Sequence, residues 1–160
     1  MTVTVAIETP LQDDVRALVG ALNDHLLPLS PQEFQFKMTV EQMAGDDTTV
    51  FVAREETGRA VGIGALRVFD REMAEVKRMY TLPEVRGQRV GVLILDAIEA
   101  LARERGIKTL KLETGDAAGF EAAWRLYQRR GFTRCGAFLD YPDSQYSAFF
   151  EKRIGPEAAS

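Results

Sequence analysis

The segment that most constrains the fold of this chain is RGQRVG, at residues 86–91. It follows a strand-like run at residues 75–82 (EVKRMYTL) and opens a helix-like apolar pattern at residues 90–106 (VGVLILDAIEALARERG). A glycine-bearing turn that leads into a helix directs several unpaired backbone N–H groups, and the positive end of the helix dipole, at one point. The sequence therefore predicts an anion site at this junction, and a phosphate group is the natural ligand.

Length and charge limit the classes of protein to be considered. A chain of 160 residues suits one domain with one core, and we predict a single domain at residues 1–154 with a flexible tail at residues 155–160. Hydrophobic residues make up 46% and charged residues 28%, as is typical of soluble globular proteins. The net charge of −4 provides no general basic field, so phosphate binding must be local and no nucleic-acid partner is expected.

The chain shows no targeting or membrane signal. Its first ten residues, MTVTVAIETP, alternate apolar and polar side chains and indicate a first strand rather than a signal peptide. No run approaches the roughly 20 apolar residues that cross a bilayer. Cys135 is the only cysteine, which excludes an internal disulfide and a cysteine-based metal cluster within one chain. We therefore expect a cytoplasmic protein with no membrane partner and no metal.

Hydrophobic periodicity predicts alternating strands and helices. Helical spacing runs from a start near Thr9 and Pro10 to Leu26, over residues 90–106 with Gly106 as a left-handed end, and around residues 120–131. Residues 32–47 suggest one or two short helical turns. Strand-like runs lie at residues 3–7, 49–54, 60–69, 73–81, 109–114, 133–139 and 147–152. The order predicts an α/β (α+β) fold: a single mixed, mostly antiparallel sheet of about seven strands, flanked by helices.

The order of these segments resembles the GNAT superfamily of acyl-CoA-dependent N-acyltransferases over about residues 50–150. The most specific parts are the R-x-x-x-x-G turn and a later L-Y-x-x-x-G-F segment at residues 126–132, with the strand LKLET between them. The closing segment, CGAFLDYP…SAFFEK, also resembles a subgroup of small bacterial GNAT proteins. The resemblance implies a GNAT-like fold and an acyltransferase that moves an acetyl group directly from acetyl-CoA to a primary amine of a small molecule or amino acid, without a metal.

The resemblance also implies where coenzyme A binds. The pantetheine arm would lie beside Met79, Tyr80 and Thr81 and pair with their backbone as an added strand does, and a backbone N–H there would stabilise the oxyanion. In the family pattern Q/R-x-x-G-x-G/A, Arg86 and Gly91 match the outer positions, whereas Arg89 stands where glycine is usual. The expected pyrophosphate site comprises Arg86, Gly87, Gln88, Arg89, Val90, Gly91 and Val92.

Two carboxylates fit the family's position for a general base, Glu75 and Glu113. A base is needed because an amine with a pKa of about 10 is mostly protonated at neutral pH. However, Glu75 alternates with Lys77 and Glu113 with Lys111, as expected of polar strand faces that form cross-strand ion pairs. Either glutamate could therefore be solvated surface, and we expect at least one to face the cleft.

Tyr127 matches the family's tyrosine that gives a proton to the departing thiolate of coenzyme A. Its phenol is protonated at neutral pH and so is ready to act as an acid. Alternatively, Tyr127 is a core aromatic, because it shares a helical stripe with Phe120, Ala123 and Trp124. His25 and the Arg129–Arg130 pair are interpreted as helix C-terminal cations.

Residues 26–43 and 139–146 are expected to shape the acceptor pocket, with Asp140 and Tyr141 as acceptor contacts. A protein N-terminus or lysine is an alternative acceptor, and a homodimer is an open possibility. A second hypothesis is a CoA-binding module without turnover. A third, an ATP-binding protein, has less support because the chain has no G-x-x-x-x-G-K-[ST] sequence.

Overall fold

The computed structural model describes residues 2–29, 31, 33, 35, 37–116, 118–139 and 141–155. The strands are β1 (Val3–Ile7), β2 (Thr48–Glu55), β3 (Ala60–Val68), β4 (Met73–Thr81), β5 (Thr109–Gly115), β6 (Thr133–Cys135) and β7 (Ser147–Arg153). The helices are α1 (Asp13–Leu26), α2 (Val40–Met43), α3 (Val90–Glu104) and α4 (Glu121–Arg129), with 3₁₀ turns at Pro83–Val85 and Ala118–Phe120.

The seven strands form one mixed sheet in the order β1-β2-β3-β4-β5-β7-β6. Every neighbouring pair is antiparallel except β4 and β5, which are parallel and are connected through α3. A parallel pair needs a crossover of this kind, because a tight turn cannot return the chain in the same direction. The predicted mixed, mostly antiparallel sheet flanked by helices is confirmed.

The parallel pair β4–β5 separates halfway along its length. Its register runs from Met73↔Thr109 only to Glu75↔Lys111, although β4 continues to Thr81 and β5 to Gly115. Beyond Glu75 the two strands therefore diverge and leave a gap in the middle of the sheet.

Helices cover both faces of the sheet. The apolar side of α1 packs on one face around Val15 and Leu18, and α3 packs on the other around Ile94 and Ile98. The contact between α3 and β3 is close, because a Cβ on Gly64 would lie 2.6 Å from Cγ2 of Ile94. Glycine in β3 thus lets the helix approach the strand backbone.

Several predicted boundaries differ from the structure. The first helix begins at Asp13 with Gln12 as N-cap, so the start predicted near Thr9 and Pro10 is wrong by a few residues. Strand β6 ends at Cys135 rather than at residue 139, where Leu139 has a φ of 52°. The predicted turns near residues 32–47 include α2, whereas Phe34 and Phe36 lie outside the described residues.

The structure bears on two predicted features, the end of α3 and the C-terminal tail. Gly106 has a φ of 77°, which confirms the left-handed end after α3. Gly155, the first residue of the predicted tail, donates a hydrogen bond from its backbone N–H to the carbonyl oxygen of Lys108. The rest of that tail, residues 156–160, is outside the described residues. The single-domain boundary at residue 154 stays a prediction.

Candidate active site

The turn at residues 86–89 leads directly into α3, as the sequence predicts. Gly87 has a φ of 86°, and Arg89, the N-cap of α3, has a φ of 66°. Both are left-handed conformations, which glycine adopts without strain and arginine adopts at a cost. Arg89, at the position where the family pattern has glycine, therefore adopts a backbone conformation that glycine favours. The Arg89 side chain does not cap the helix, so the N–H groups of its first turn can bind a ligand.

A cavity of about 610 Å³, here called the large cavity, lies between this turn, the end of β4 and helix α4. Its volume is in the range of small-molecule and cofactor sites. Of the predicted cofactor residues, Gln88 does not line it. Those that do are Met79, Tyr80, Thr81, Arg86, Gly87, Arg89, Val90, Gly91 and Val92.

Arginines surround the large cavity. Nη2 of Arg86 donates a hydrogen bond to the carbonyl oxygen of Thr81 at 3.2 Å. Arg129 and Arg130 also line the cavity, and Arg130 forms an ion pair with Asp96 at 2.6 Å. Helix α4 does end at this pair, as the sequence indicates. The sequence did not show that the two arginines lie beside the turn, because only the packing of α4 against α3 brings the end of α4 close to the start of α3.

A second cavity of about 140 Å³, here called the small cavity, occupies the gap between β4 and β5 and contains both candidate bases. Glu75 is only 2% exposed, so its interpretation as solvated surface is wrong. Its Oε2 accepts a hydrogen bond from the Tyr141 hydroxyl at 2.5 Å and lies 3.5 Å from Nζ of Lys77. Oε1 is buried and accepts no hydrogen bond from the described residues. One oxygen of Glu75 is thus held while the other is available.

Glu113 lies on β5, across the gap from Glu75. It is half-buried, and burial raises the pKa of its carboxyl group to about 7. The expected cross-strand ion pair on this strand forms at Lys111, whose Nζ is 3.5 Å from Glu151 on β7. Glu113 itself titrates near neutral pH, where a general base is most effective.

Tyr127 lies where the two cavities meet. The shared wall consists of Leu22, Leu26, Met79, Ala123 and Tyr127. The Tyr127 side chain is 5% exposed, and its ring packs edge to face on Phe132 with the centroids 5.7 Å apart. Burial raises the pKa of its phenol, so the hydroxyl keeps its proton at neutral pH. The ring is therefore a core aromatic, and the residue also faces the site.

Two further residues of the small cavity are Tyr141 and Arg78. Tyr141, a predicted acceptor contact, accepts a hydrogen bond from Nζ of Lys77 at 2.7 Å and donates one to Glu75. Arg78, which the sequence interpretation missed, is 8% exposed and lines the cavity. No local pattern marks Arg78, since a bulge in β4 determines its direction. Asp140 lies outside the described residues.

In the described part of the chain, no group of three or more His, Cys, Asp or Glu side chains is arranged to hold a metal ion. None of the helices found there has the length and apolarity needed to span a membrane. His25, in the last turn of α1, lines the large cavity with its ring centroid 6.2 Å from that of Tyr80.

Comparison with known proteins places this geometry in a family. The model of the acetyltransferase (GNAT) family matches residues 18–132. The chain is 39% identical to the IAA acetyltransferase of Azospirillum brasilense over 154 residues, which are 95% of this chain and 98% of that protein. It is 36% identical to the N-acetyltransferase YedL of Escherichia coli, a protein described as uncharacterized, over 84% of each chain.

Solved structures have the same fold. A Klebsiella pneumoniae protein assigned as an acyl-CoA N-acyltransferase is 32% identical, with a TM-score of 0.78 over 95% of this chain and 97% of its own. An aminoglycoside 6'-N-acetyltransferase solved with coenzyme A has a TM-score of 0.73 at 14% identity over 97% and 99% of the two chains, a likeness of fold alone. The family match and these relatives show that this chain is an acyltransferase and belongs to the GNAT acetyltransferase family.

Proposed function

We propose that this protein transfers the acetyl group of acetyl-CoA directly to a primary amine of a small molecule or amino acid. The observation that carries this proposal is the meeting of the two cavities at Tyr127. A cavity at a helix N-terminus suits the phosphates of the donor, and a cavity with two carboxylates suits the amine. The tyrosine between them would lie near the thioester bond that breaks.

The large cavity would hold coenzyme A. Its pyrophosphate would accept hydrogen bonds from the backbone of the turn at residues 86–92, and the arginines around the cavity would offset its charge. The pantetheine arm would pair with the edge of β4 beyond Glu75, where the described register with β5 has ended. The same edge offers backbone N–H groups for the oxyanion near Met79.

The small cavity would activate the amine. Glu113 takes the ammonium proton, and Oε1 of Glu75 accepts an N–H bond that orients the nitrogen. The nitrogen then attacks the thioester carbonyl carbon, and the carbon–sulfur bond breaks. Tyr127 gives its proton to the sulfur. The nitrogen of the new amide loses its extra proton to solvent, and Tyr127 takes up a proton from solvent. The products are the N-acetyl amine and free coenzyme A.

Thiol release with a panel of primary amines tests this function, together with calorimetry of coenzyme A binding. We expect binding and turnover with at least one amine. Binding without turnover on any small amine, N-terminal peptide or lysine peptide would favour the non-catalytic module. Stabilisation by ATP but not by coenzyme A in a thermal melt would favour a nucleotide-binding protein. A cytoplasmic location and a homodimer stay predictions, which cell fractionation and light scattering would test.

A further inference from the structure

Arg78 is a buried cation for which the described residues provide no anion. It lies in β4 where the register with β3 shifts, and it has a φ of 56°, so it is the extra residue of a bulge. Its Nη2 donates a hydrogen bond to the amide oxygen of Asn23 on α1. Its Nε is buried without a hydrogen-bond partner, and no carboxylate of the described residues forms an ion pair with it.

This arrangement is unfavourable for the protein alone. A buried charge costs free energy unless an opposite charge and hydrogen bonds compensate for it. Burial lowers the pKa of Arg78 to about 10, so its side chain still carries its charge at neutral pH. An amide oxygen satisfies one N–H but supplies no negative charge. The missing anion can therefore come from a ligand in the small cavity, which Arg78 lines.

The charges around the small cavity also favour an anion. Its lining includes three cations, Lys37, Lys77 and Arg78, and two acidic groups, Glu75 and Glu113. Lys77 is paired with Glu75, and the pKa of Glu113 near 7 leaves that group only partly charged. Lys37 is half-buried and forms no ion pair within the described parts of the chain. Among the described residues of the lining, the unpaired charge that remains is positive.

We propose that the acceptor carries a carboxylate beside its amine, and that the Arg78 guanidinium binds this carboxylate in the small cavity. The inference rests on the proposed function, since it assigns the substrate class of the same site. A guanidinium offers parallel N–H donors that match a carboxylate. The rest of the lining includes Leu22, Leu26 and Phe120, and a cavity of roughly 150 Å³ can hold a benzene ring. The acceptor class is thus a small amino acid with an apolar body.

Matched probes test the carboxylate directly. The probes are L-leucine, L-methionine, L-phenylalanine and β-alanine, each with its own carboxamide, titrated by calorimetry into protein saturated with coenzyme A. We expect at least one acid to bind about tenfold or more tightly than its amide, and Arg78→Met to abolish this preference. Equal binding of every acid and its amide, no binding of any acid at millimolar concentration, or a preference that survives in Arg78→Met would overturn the proposal.

An isosteric variant separates ligand binding from a structural role of Arg78 and does not depend on Arg78→Met folding. Asn23→Asp replaces the amide that contacts the Arg78 guanidinium by a carboxylate of the same shape. If Arg78 binds the acceptor, this variant raises Tm but increases the Kd for the acid about tenfold, with acetyl-CoA binding unchanged. If Arg78 only ties β4 to α1, Tm rises and the Kd for the acid stays the same, which contradicts the proposal. Acid-selective binding without any turnover would disprove the proposed function and leave the anion site standing.

Discussion

Burial acts on two side chains of the site in the same physical direction and prepares them for opposite tasks. Removing a group from water disfavours its charged form, so it raises the pKa of both an acid and a phenol. For Glu113 the result is a pKa of about 7, at which the carboxyl group can both take and release a proton. For Tyr127 the result is a phenol that keeps its proton at neutral pH, so the proton is present when a thiolate forms beside it.

Removal of the Tyr127 hydroxyl should slow the chemical step. Tyr127→Phe is expected to lower kcat about 100-fold, because the thiolate would leave without a proton donor, whereas the KM for acetyl-CoA should hardly change. Single-turnover thiol release measures this step. Tyr146→Phe is the matched control, because Tyr146, although it belongs to the segment expected to shape the acceptor pocket, lines neither cavity and should keep wild-type kcat. An unchanged single-turnover rate in Tyr127→Phe would contradict the acid role.

The pH profile should identify the base. If Glu113 must be deprotonated to act, kcat/KM rises with pH through about 7 and levels off above it, since the base form then predominates. Glu113→Gln should lower activity and remove this rise. Glu75→Gln should raise the KM for the amine and keep the rise, because Glu75 is assigned to orientation. A rise near pH 7 that survives in Glu113→Gln would exclude Glu113 as the base.

At the scale of elements, β4 lines both cavities and the turn after it lines the large cavity. The first half of β4 pairs with β5, the bulge at Arg78 interrupts the alternation of side chains, and the second half borders the large cavity. The turn then presents the start of α3 to the same cavity. Arg89 in this turn adopts a left-handed conformation without being glycine.

A charge at the start of α3 should weaken binding of the cofactor. A Cβ on Gly91 would lie 3.2 Å from Cδ2 of Leu126, so Gly91→Ala controls for this contact, whereas Gly91→Asp adds a charged carboxylate beyond it. Gly91→Asp should bind acetyl-CoA about tenfold more weakly than Gly91→Ala, because a carboxylate next to the pyrophosphate repels it. Calorimetry at low and high salt checks this, and salt should reduce the difference. Equal affinities would argue against pyrophosphate at the turn.

At the scale of the whole molecule, the site depends on how closely helices cover a sheet with a central gap. Helices α1 and α3 hold opposite faces, and β4 is the central strand that touches both cores. The small cavity exists because β4 and β5 separate after Glu75 while the antiparallel pairs on both sides continue. Changes in packing around β3 and β4 should therefore affect stability and the site together.

Two glycine substitutions should change stability in opposite directions. A Cβ on Gly64 would meet Sδ of Met79 at 2.5 Å and Cγ2 of Ile94 at 2.6 Å, so Gly64→Ala should destabilise the fold by about 1–3 kcal/mol. A Cβ on the exposed Gly20 of α1 would meet nothing within 4 Å, and Gly20→Ala should stabilise it by about 0.5–1 kcal/mol. Urea unfolding of both variants measures the difference. If Gly64→Ala were as stable as the wild type, the packing of α3 would not require glycine at residue 64.

Local features of this chain were predictable because their causes lie within a few residues. The alternation of β4, the helical stripe of α3, the left-handed glycine after it and the strand-turn-helix junction all follow from side-chain period and turn chemistry. Boundaries were less predictable where a cap or a bend depends on neighbours, as at the start of α1 and the end of β6. Glu75 and Glu113 could be named as candidates, but the alternation of glutamate and lysine also fitted an exposed strand.

The amino-acid sequence by itself determined the order of elements, the helix-opening turn and the identities of the candidate carboxylates and tyrosine. Only the tertiary structure decided that the β4–β5 pair opens after Glu75, that both glutamates line one cavity, and that Arg78 turns into it at a bulge. The physical reason is the distance along the chain over which each interaction acts. Periodicity and turn preferences act between residues close along the chain, whereas the hydrogen bond from Tyr141 to Glu75 joins residues 66 positions apart. Such contacts, and the burial that sets the pKa of Glu113, form only when the sheet and its helices pack together.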